Sequence, residues 1–284
     1  KENKKLLSCD FALISDGELT ARHPTLEIGF RGVLNAEITL TTSDKDLHSG
    51  LYGGAVPSAA HEASILISKL LGREYKTRLE GFYSVKPSKV QQEQARAIPL
   101  KESELRGLAG TKTLLSPNSA NFYAQTGLYP TLQITGIESG YTDIGFRNSV
   151  PHSATIKLNT RVVEGQKRKD IENSFKKFLK ENVPSYVNTT FTADHWSPGT
   201  MLDTNNKYYQ RAREILEQVY KKDVVEAFVG GTLPIAHEFK TLLKIPQVYA
   251  PLANDDCRMH ATDENFDLKH VAKALEFSKT FLKK

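Results

Sequence analysis

Val33-Leu34-Asn35-Ala36-Glu37-Ile38-Thr39-Leu40-Thr41 alternates apolar and polar side chains, with Leu34, Ala36, Ile38 and Leu40 on one face. Successive strand side chains point to opposite faces, so this spacing predicts a strand buried on one side only. Downstream the period changes. Pro57 suits the first turn of a helix, and Ala59, Ala63, Leu66, Ile67, Leu70 and Leu71 recur at helical spacing. Residues 84–127 are polar and show no clear period, so short helices and loops are expected there. Residues 131–137 read as a strand, and residues 155–163 as another, through Ile156, Leu158, Thr160 and Val162. Ile171, Phe175, Phe178 and Leu179 mark a helix that stops before Pro184, and residues 186–193 read as a last strand. From Leu26 to about Asp194 the order is strand, helix, strand, strand, helix, strand. That is the split-βαβ, ferredoxin-like pattern, an antiparallel sheet with two helices on one face.

The flanks read differently. Leu6-Leu-Ser-Cys-Asp-Phe-Ala-Leu-Ile14 is short and nearly continuous in apolar character, as a strand buried on both faces of a parallel sheet would be. It ends at Ser15-Asp16-Gly17, which puts Asp16 at the carboxyl end of the strand, where open α/β sheets bind ligands. The alternative is that Asp16 caps the turn. Tyr208, Ala212, Ile215, Leu216 and Val219 mark one amphipathic helix; Leu268, Val271, Ala272, Leu275 and Leu282 mark another. Residues 244–250 suggest a short strand. The expected organisation is an α/β domain at residues 1–25 and 195–284, with an α+β domain inserted at 26–194.

Composition narrows the function classes. The chain has 284 residues, 39% of them hydrophobic and 25% charged, the balance of an ordinary globular protein. No run approaches the roughly 18 apolar residues of a membrane span. Net charge is +5, but the basic residues are scattered or clustered at termini. No Lys/Arg stripe interleaved with aromatics is present, which argues against nucleic acid as a partner. Two cysteines, Cys9 and Cys257, are too few for a disulfide framework, so a reducing, cytoplasmic setting is expected.

Two further stretches carry chemistry. In Val229-Gly-Gly-Thr-Leu-Pro-Ile-Ala236, the paired glycines let a ligand approach the main chain. In Asn254-Asp-Asp-Cys-Arg-Met-His260-Ala-Thr-Asp-Glu-Asn-Phe266, His260 stands in an acidic loop before a helix that Asp267 can cap. An imidazole fixed by neighbouring carboxylates is how a metal-ligating histidine is usually held. The plainer alternative is a solvated surface histidine.

Eight segments occur in the order found in the two-zinc aminoacylase, dipeptidase and desuccinylase metallopeptidases, peptidase family M20, which the chain resembles. They are Ile14-Ser-Asp16, Gly29-Phe-Arg-Gly32, Asp46-Leu-His-Ser-Gly-Leu-Tyr-Gly-Gly54, Gly136-Ile-Glu-Ser-Gly-Tyr141, Asn148-Ser-Val-Pro151, Leu158-Asn-Thr-Arg161, Gly230-Gly-Thr232 and His260-Ala-Thr-Asp-Glu264. The run around His48 is the most specific and resembles the carnosine-type dipeptidase branch.

The resemblance implies a zinc-peptidase α/β catalytic domain, represented in part, with an inserted ferredoxin-like lid that also makes a homodimer. It implies two zinc ions, with Asp16 and His260 as ligands to different ions; manganese or cobalt suits the same donors. The other three ligands and the general base match nothing in the chain. It is therefore expected to be the C-terminal part of such a protein, inactive and weak for zinc by itself. His48 is similar to the histidine that reaches the partner's active site and donates to the tetrahedral oxyanion. The alternative is that His48 only caps the turn before Gly50. Arg161 resembles the residue that grips the substrate carboxylate with a guanidinium fork; the alternative is a surface ion pair. Asn148 stands where the dipeptidases carry Thr. Gly231 and Thr232 would meet the substrate's terminal carboxylate. The activity implied is hydrolysis of the amide bond of dipeptides or N-acyl amino acids, with a lid-and-dimerisation module or a metal-free binding protein as the non-enzymatic alternatives.

Overall fold

The computed structural model describes residues 2–115 and 119–283. In chain order its strands are β1 (Ala12–Ile14), β2 (Thr25–Phe30), β3 (Gly32–Thr41), β4 (Leu47–His48), β5 (Thr131–Ser139), β6 (Ser149–Val150), β7 (Ser153–Val162), β8 (Asn188–Ser197), β9 (Thr200–Met201), β10 (Val225–Val229) and β11 (Gln247–Tyr249). The helices are α1 (Ser49–Tyr52), α2 (Ala59–Leu70), α3 (Lys89–Arg96), α4 (Glu102–Ala109), α5 (Ser119–Gly127), α6 (Arg168–Asn182), α7 (Lys207–Tyr220), α8 (Pro234–Glu238) and α9 (Leu268–Leu282). Two compact units result: Lys1–Gly32, Pro87–Tyr129 and Gly199–Lys284 form the first, Val33–Lys86 and Pro130–Pro198 the second.

The second unit is the ferredoxin-like pattern expected from the alternating strands. Its four-stranded sheet runs β5-β7-β3-β8, and both outer pairs are antiparallel. The apolar face of β3 is sealed, with Leu34, Ile38 and Leu40 at 0% exposure. Ala59, Ala63, Leu66 and Leu70 of α2, with Ile171, Phe175 and Phe178 of α6, complete that core. Burying a Leu or Phe side chain contributes about 1.5–3 kcal/mol relative to leaving it in water. This packing therefore fixes the strand register, because a slip of one residue would expose every apolar side chain of β3. Beside the sheet, β4 and β6 form a two-stranded antiparallel ribbon.

The first unit is a five-stranded mixed sheet, β1-β11-β2-β10 with β9 on β2. The β1–β11 and β2–β10 pairs are parallel; β11–β2 and β2–β9 are antiparallel. Leu26 and Ile28 of β2 pack with Tyr209, Ala212 and Leu216 of α7 and with Phe277 and Phe281 of α9. Asp267 caps α9 as expected, its carboxylate accepting from Lys269 N at 2.9 Å.

The structure departs from the sequence reading at three places. The continuous apolar run at residues 6–14 yields only the three residues of β1, and Leu6 is 83% exposed. Strand β2 escaped notice, although all six of its residues are buried, because Glu27 and Gly29 interrupt its apolar character. The inserted domain is also smaller than residues 26–194. Residues 26–32 and 87–129 belong to the first unit, where Ala95, Ala124 and Leu128 are buried in one core with Phe228 of β10. Helix α3 buries only Ala95, too little apolar surface to set a readable period.

Candidate active site

In the first unit, Asp16 follows β1 directly and is exposed. The chain turns at Gly17 with φ +107°, and a side chain there would meet Glu27 Oε1 at 3.1 Å and Pro251 Cβ at 3.2 Å. The carboxyl of Glu27, on β2, is pushed up to about 8 by burial and then by the charges of Asp16 and Glu18. Glu18 is also raised, chiefly by burial, against the lowering effect of a hydrogen bond from Cys257 Sγ. Carboxylates thus gather around one glycine turn, and burial disfavours the charged form of Glu27 above all.

The loop carrying His260 is tied to that turn. Leu19 N donates to Ala253 O at 2.8 Å and Ala253 N to Gly17 O at 3.2 Å. Asn254 is the hub of the loop and is only 5% exposed. Its Nδ2 donates to Asp256 and Asn265, while its Oδ1 accepts from Asp267 N. His260 projects beyond this frame, exposed and at φ +62°. Its imidazole makes no hydrogen bond among the described residues. The expected fixing of the ring by neighbouring carboxylates is therefore replaced by fixing of the backbone through Asn254, which the sequence reading passed over.

Gly230-Gly231-Thr232 leaves the end of β10. Arg31, 8% exposed, donates from Nε to Gly230 O and from Nη1 to Tyr129 O, both at 3.2 Å. A side chain on Gly230 would meet Thr126 O at 2.7 Å and Arg31 Nη2 at 2.9 Å, so only glycine fits. Gly231 is exposed and Thr232 half-buried. Arg31 lay inside the quoted Gly29–Gly32 motif but was given no role; it is the clamp on this turn.

In the second unit, His48 and Asn148 come together. Leu47 pairs with Val150 and His48 with Ser149 across the ribbon, and Ser49 N donates to Asn148 O at 3.0 Å. His48 caps α1: its Nδ1 accepts from Gly50 N at 3.1 Å. That bond requires a lone pair on Nδ1, so the neutral ring carries its proton on Nε2 and presents a donor to solvent. Capping and donation use different nitrogens and do not compete. Asp46 anchors the ribbon, accepting from His152 N at 3.1 Å and pairing with His152 Nδ1 at 2.7 Å. These bonds hold the Asp46 carboxyl below its ordinary value. His152, which the sequence reading left as structural or solvated, is thus the brace of the His48 corner.

Arg161 lies elsewhere. It is half-buried near the far end of β7, opposite Thr131 of β5, whereas His152 immediately precedes Ser153 at the near end. Eight strand residues at ~3.3 Å each put Arg161 about 26 Å from the His48 corner.

Metal chemistry requires converging donors. Among the described residues, no three His, Cys, Asp or Glu side chains are grouped so as to hold an ion. Asp16 and His260 do not make a metal centre by themselves; they are single carboxylate and imidazole donors of the kind such a centre uses.

The chain therefore joins an α/β unit, with an exposed carboxylate after its first strand, to a ferredoxin-like unit. Residues 28–187 match the model of the peptidase dimerisation domain of the M20 family, and the chain belongs to that family. It is 24% identical over 299 residues to the Cys-Gly metallodipeptidase dug1 of Schizosaccharomyces pombe, covering 98% of this chain and 60% of the relative. It is 24% identical over 279 residues to the human Beta-Ala-His dipeptidase, covering 94% and 54%. Among solved structures, the M20 family metallo-carboxypeptidase Sso-CP2 of Sulfolobus solfataricus superposes with a TM-score of 0.89 at 25% identity, over 99% of this chain and 64% of that one. The chain thus spans roughly three-fifths or less of the length of these two curated relatives. M20 metallopeptidases depend on a dinuclear metal centre. No helix among the described residues is long and apolar enough to cross a membrane.

Proposed function

We propose that the chain acts in a homodimeric, zinc-dependent dipeptidase or amidohydrolase that cleaves the amide bond of dipeptides or N-acyl amino acids. Its relatives are metallodipeptidases. The observation that carries the reading is the hydrogen bond of His48, an exposed residue whose Nδ1 accepts from Gly50 N–H, which leaves Nε2 to carry the proton of the neutral ring. Such a donor suits the oxygen that becomes negative when water adds to an amide carbonyl. The C–N bond then breaks, the amine leaves with a proton, and a carboxylic acid remains. Arg161 holds the substrate carboxylate, Gly231 and Thr232 meet the terminal carboxylate through N–H and hydroxyl groups, and Asn148 contacts the substrate beside His48. Asp16 and His260 are two members of the ligand set in this reading. Zinc is the expected ion, and manganese or cobalt fits the same donors. A reducing, cytoplasmic setting belongs to this reading and is supported by two free cysteines.

The separation of His48 from Arg161 supports the dimer. An extended dipeptide spans about 7 Å, so one copy cannot grip it with both residues. Two copies can, if each supplies His48 to the other. The test is an assay of the whole protein, with zinc, manganese or cobalt, on a panel of dipeptides and acyl amino acids. Metal-dependent release of free amino acid is expected. Failure to turn over any member, with metal content confirmed, would sink the reading.

A further inference from the structure

The His48 corner is bordered by a segment to which no role has yet been given, Tyr141-Thr-Asp-Ile144-Gly-Phe146-Arg147 between β5 and β6. Ile144 and Phe146 are 101% and 102% exposed, more than any other large apolar residue among those described. An exposed aromatic of this kind ordinarily collapses onto its own chain unless something prevents it. Here the loop is braced in the opposite sense. Tyr141 OH donates to Ile144 O at 3.1 Å, and the Arg147 guanidinium lies 5.3 Å over the Tyr141 ring. Gly140 and Gly145 take the positive φ values, +70° and +98°, that hold the loop outward. Leu51, on the helix that His48 caps, is also exposed, at 77%. A rigid, exposed apolar patch of this kind marks a surface that meets something.

We propose that this loop enters the substrate site of a second copy of the chain, where Ile144 and Phe146 wall the pocket for a bulky apolar side chain of the dipeptide. The inference rests on the proposed function, because it places the loop where His48 is placed. Three features select the occupant and the role. The loop lies inside the segment that matches a peptidase dimerisation domain, so the partner is this same chain. Phe146 is two residues from Asn148, whose carbonyl holds Ser49 N beside His48. Phe146 therefore lies in the same strand-side segment as the residue that holds Ser49, next in chain to His48. The wall is apolar, so it rewards an apolar substrate side chain and gives nothing to glycine.

The test has two arms, both on the whole protein. In the first, the dimer dissociation constant is measured by sedimentation without added substrate for Ile144→Ser/Phe146→Ser. Losing two apolar contacts is expected to weaken the dimer on the order of tenfold or more. Neither side chain supports its own unit, so the fold and the melting temperature should be kept; an unchanged dimer constant overturns the proposal. In the second, Phe146→Ser is assayed at protein concentrations well above that constant. Its kcat/KM should fall about tenfold on dipeptides with a Leu or Phe residue and stay level on glycyl-glycine, as expected for a lost hydrophobic contact. An equal loss on every substrate, or no loss, overturns the proposal. Mixed dimers separate this inference from the reading beneath it. When one subunit carries His260→Ala and the other His48→Ala, the change in preference should appear only with Phe146→Ser on the subunit that retains His48. If mixing restores no activity at all, the trans action of His48 has failed. If activity returns but the preference follows the wrong subunit, the loop assignment alone has failed.

Discussion

His48 and His260 are both exposed histidines in irregular segments, yet the structure treats them in opposite ways. His48 has one ring nitrogen engaged by Gly50 N–H, its neighbours paired across a ribbon, and the Asp46–His152 contact bracing the base. Its tautomer and its direction are set within its own unit. His260 stands in a loop whose base is tied through Asn254 to Asn265 and Asp267 N, and its ring makes no hydrogen bond among the described residues. The difference matches the roles proposed for them, a preorganised donor and a ligand. A donor to a transient oxyanion must be oriented before the reaction, because reorientation during it costs rate. A ligand can be oriented by the ion itself.

The largest effect should separate the two histidines cleanly. In the whole protein, His48→Ala is expected to lower kcat by on the order of 10²–10³, as for loss of one oxyanion donor, with metal content by atomic absorption unchanged. His260→Ala should lose metal as well as activity. Metal loss in the His48 variant would erase the contrast. Random mixing of the two variants gives about half mixed dimers, each with one good site, and so restores roughly a quarter of wild-type activity. Next comes Arg161→Lys, which replaces a two-pronged grip with a single charge. KM should rise about tenfold or more, the cost of a charged hydrogen bond, while kcat changes little. Wild-type kinetics would reassign Arg161 to a surface ion pair.

Smaller effects test the frame beneath His260. Asn254→Ala strands Asp267 N–H and two side-chain acceptors, and should cost about 1–3 kcal/mol of stability. Metal retention should weaken with it; a melting curve that superposes on wild type would remove Asn254 from the argument. Glu27→Gln should act through pH. The buried carboxyl of Glu27 is raised to about 8, against about 4.3 when unfolded. Folding therefore binds a proton, and stability falls as pH climbs through that interval. On metal-stripped protein the variant should gain melting temperature over wild type near pH 8 and nothing near pH 4. A gain independent of pH would mean that shape, not charge, sets the site.

How far the sequence could be read follows from how local each signal is. Strand β3 and helix α2 are legible because burial follows their own periods. Strand β2 is not, because it is buried on both faces and its polar residues, Glu27 among them, look like surface until the sheet covers them. The grouping of 87–129 with the first unit depends on contacts with β10, more than a hundred residues away in sequence. Among the site residues, Asp16, His48 and His260 stand out as side-chain types that do chemistry. Asn254, His152 and Arg31 do not, since each acts by holding backbone or a neighbour in place: His152 and Arg31 reach partners more than 100 residues distant, and Asn254 ties together a loop without regular spacing. Each stands in or beside a motif, Arg31 within Gly29–Gly32, Asn254 at the head of Asn254–Phe266 and His152 directly after Asn148–Pro151, but a motif does not say which of its residues braces the others.

The length of β7 sets a dose relation for the proposed site. With Arg161 near one end of β7 and the ribbon that carries His48 joining its other end, a site that needs both residues would exist only while two chains are associated. Specific activity should then fall on dilution through the dissociation constant, as a one-chain site would not. The same geometry bears on inheritance: a cell carrying two different defective copies of the gene, one damaged at each end of the strand, would keep part of its activity, while two copies damaged at the same end would keep none.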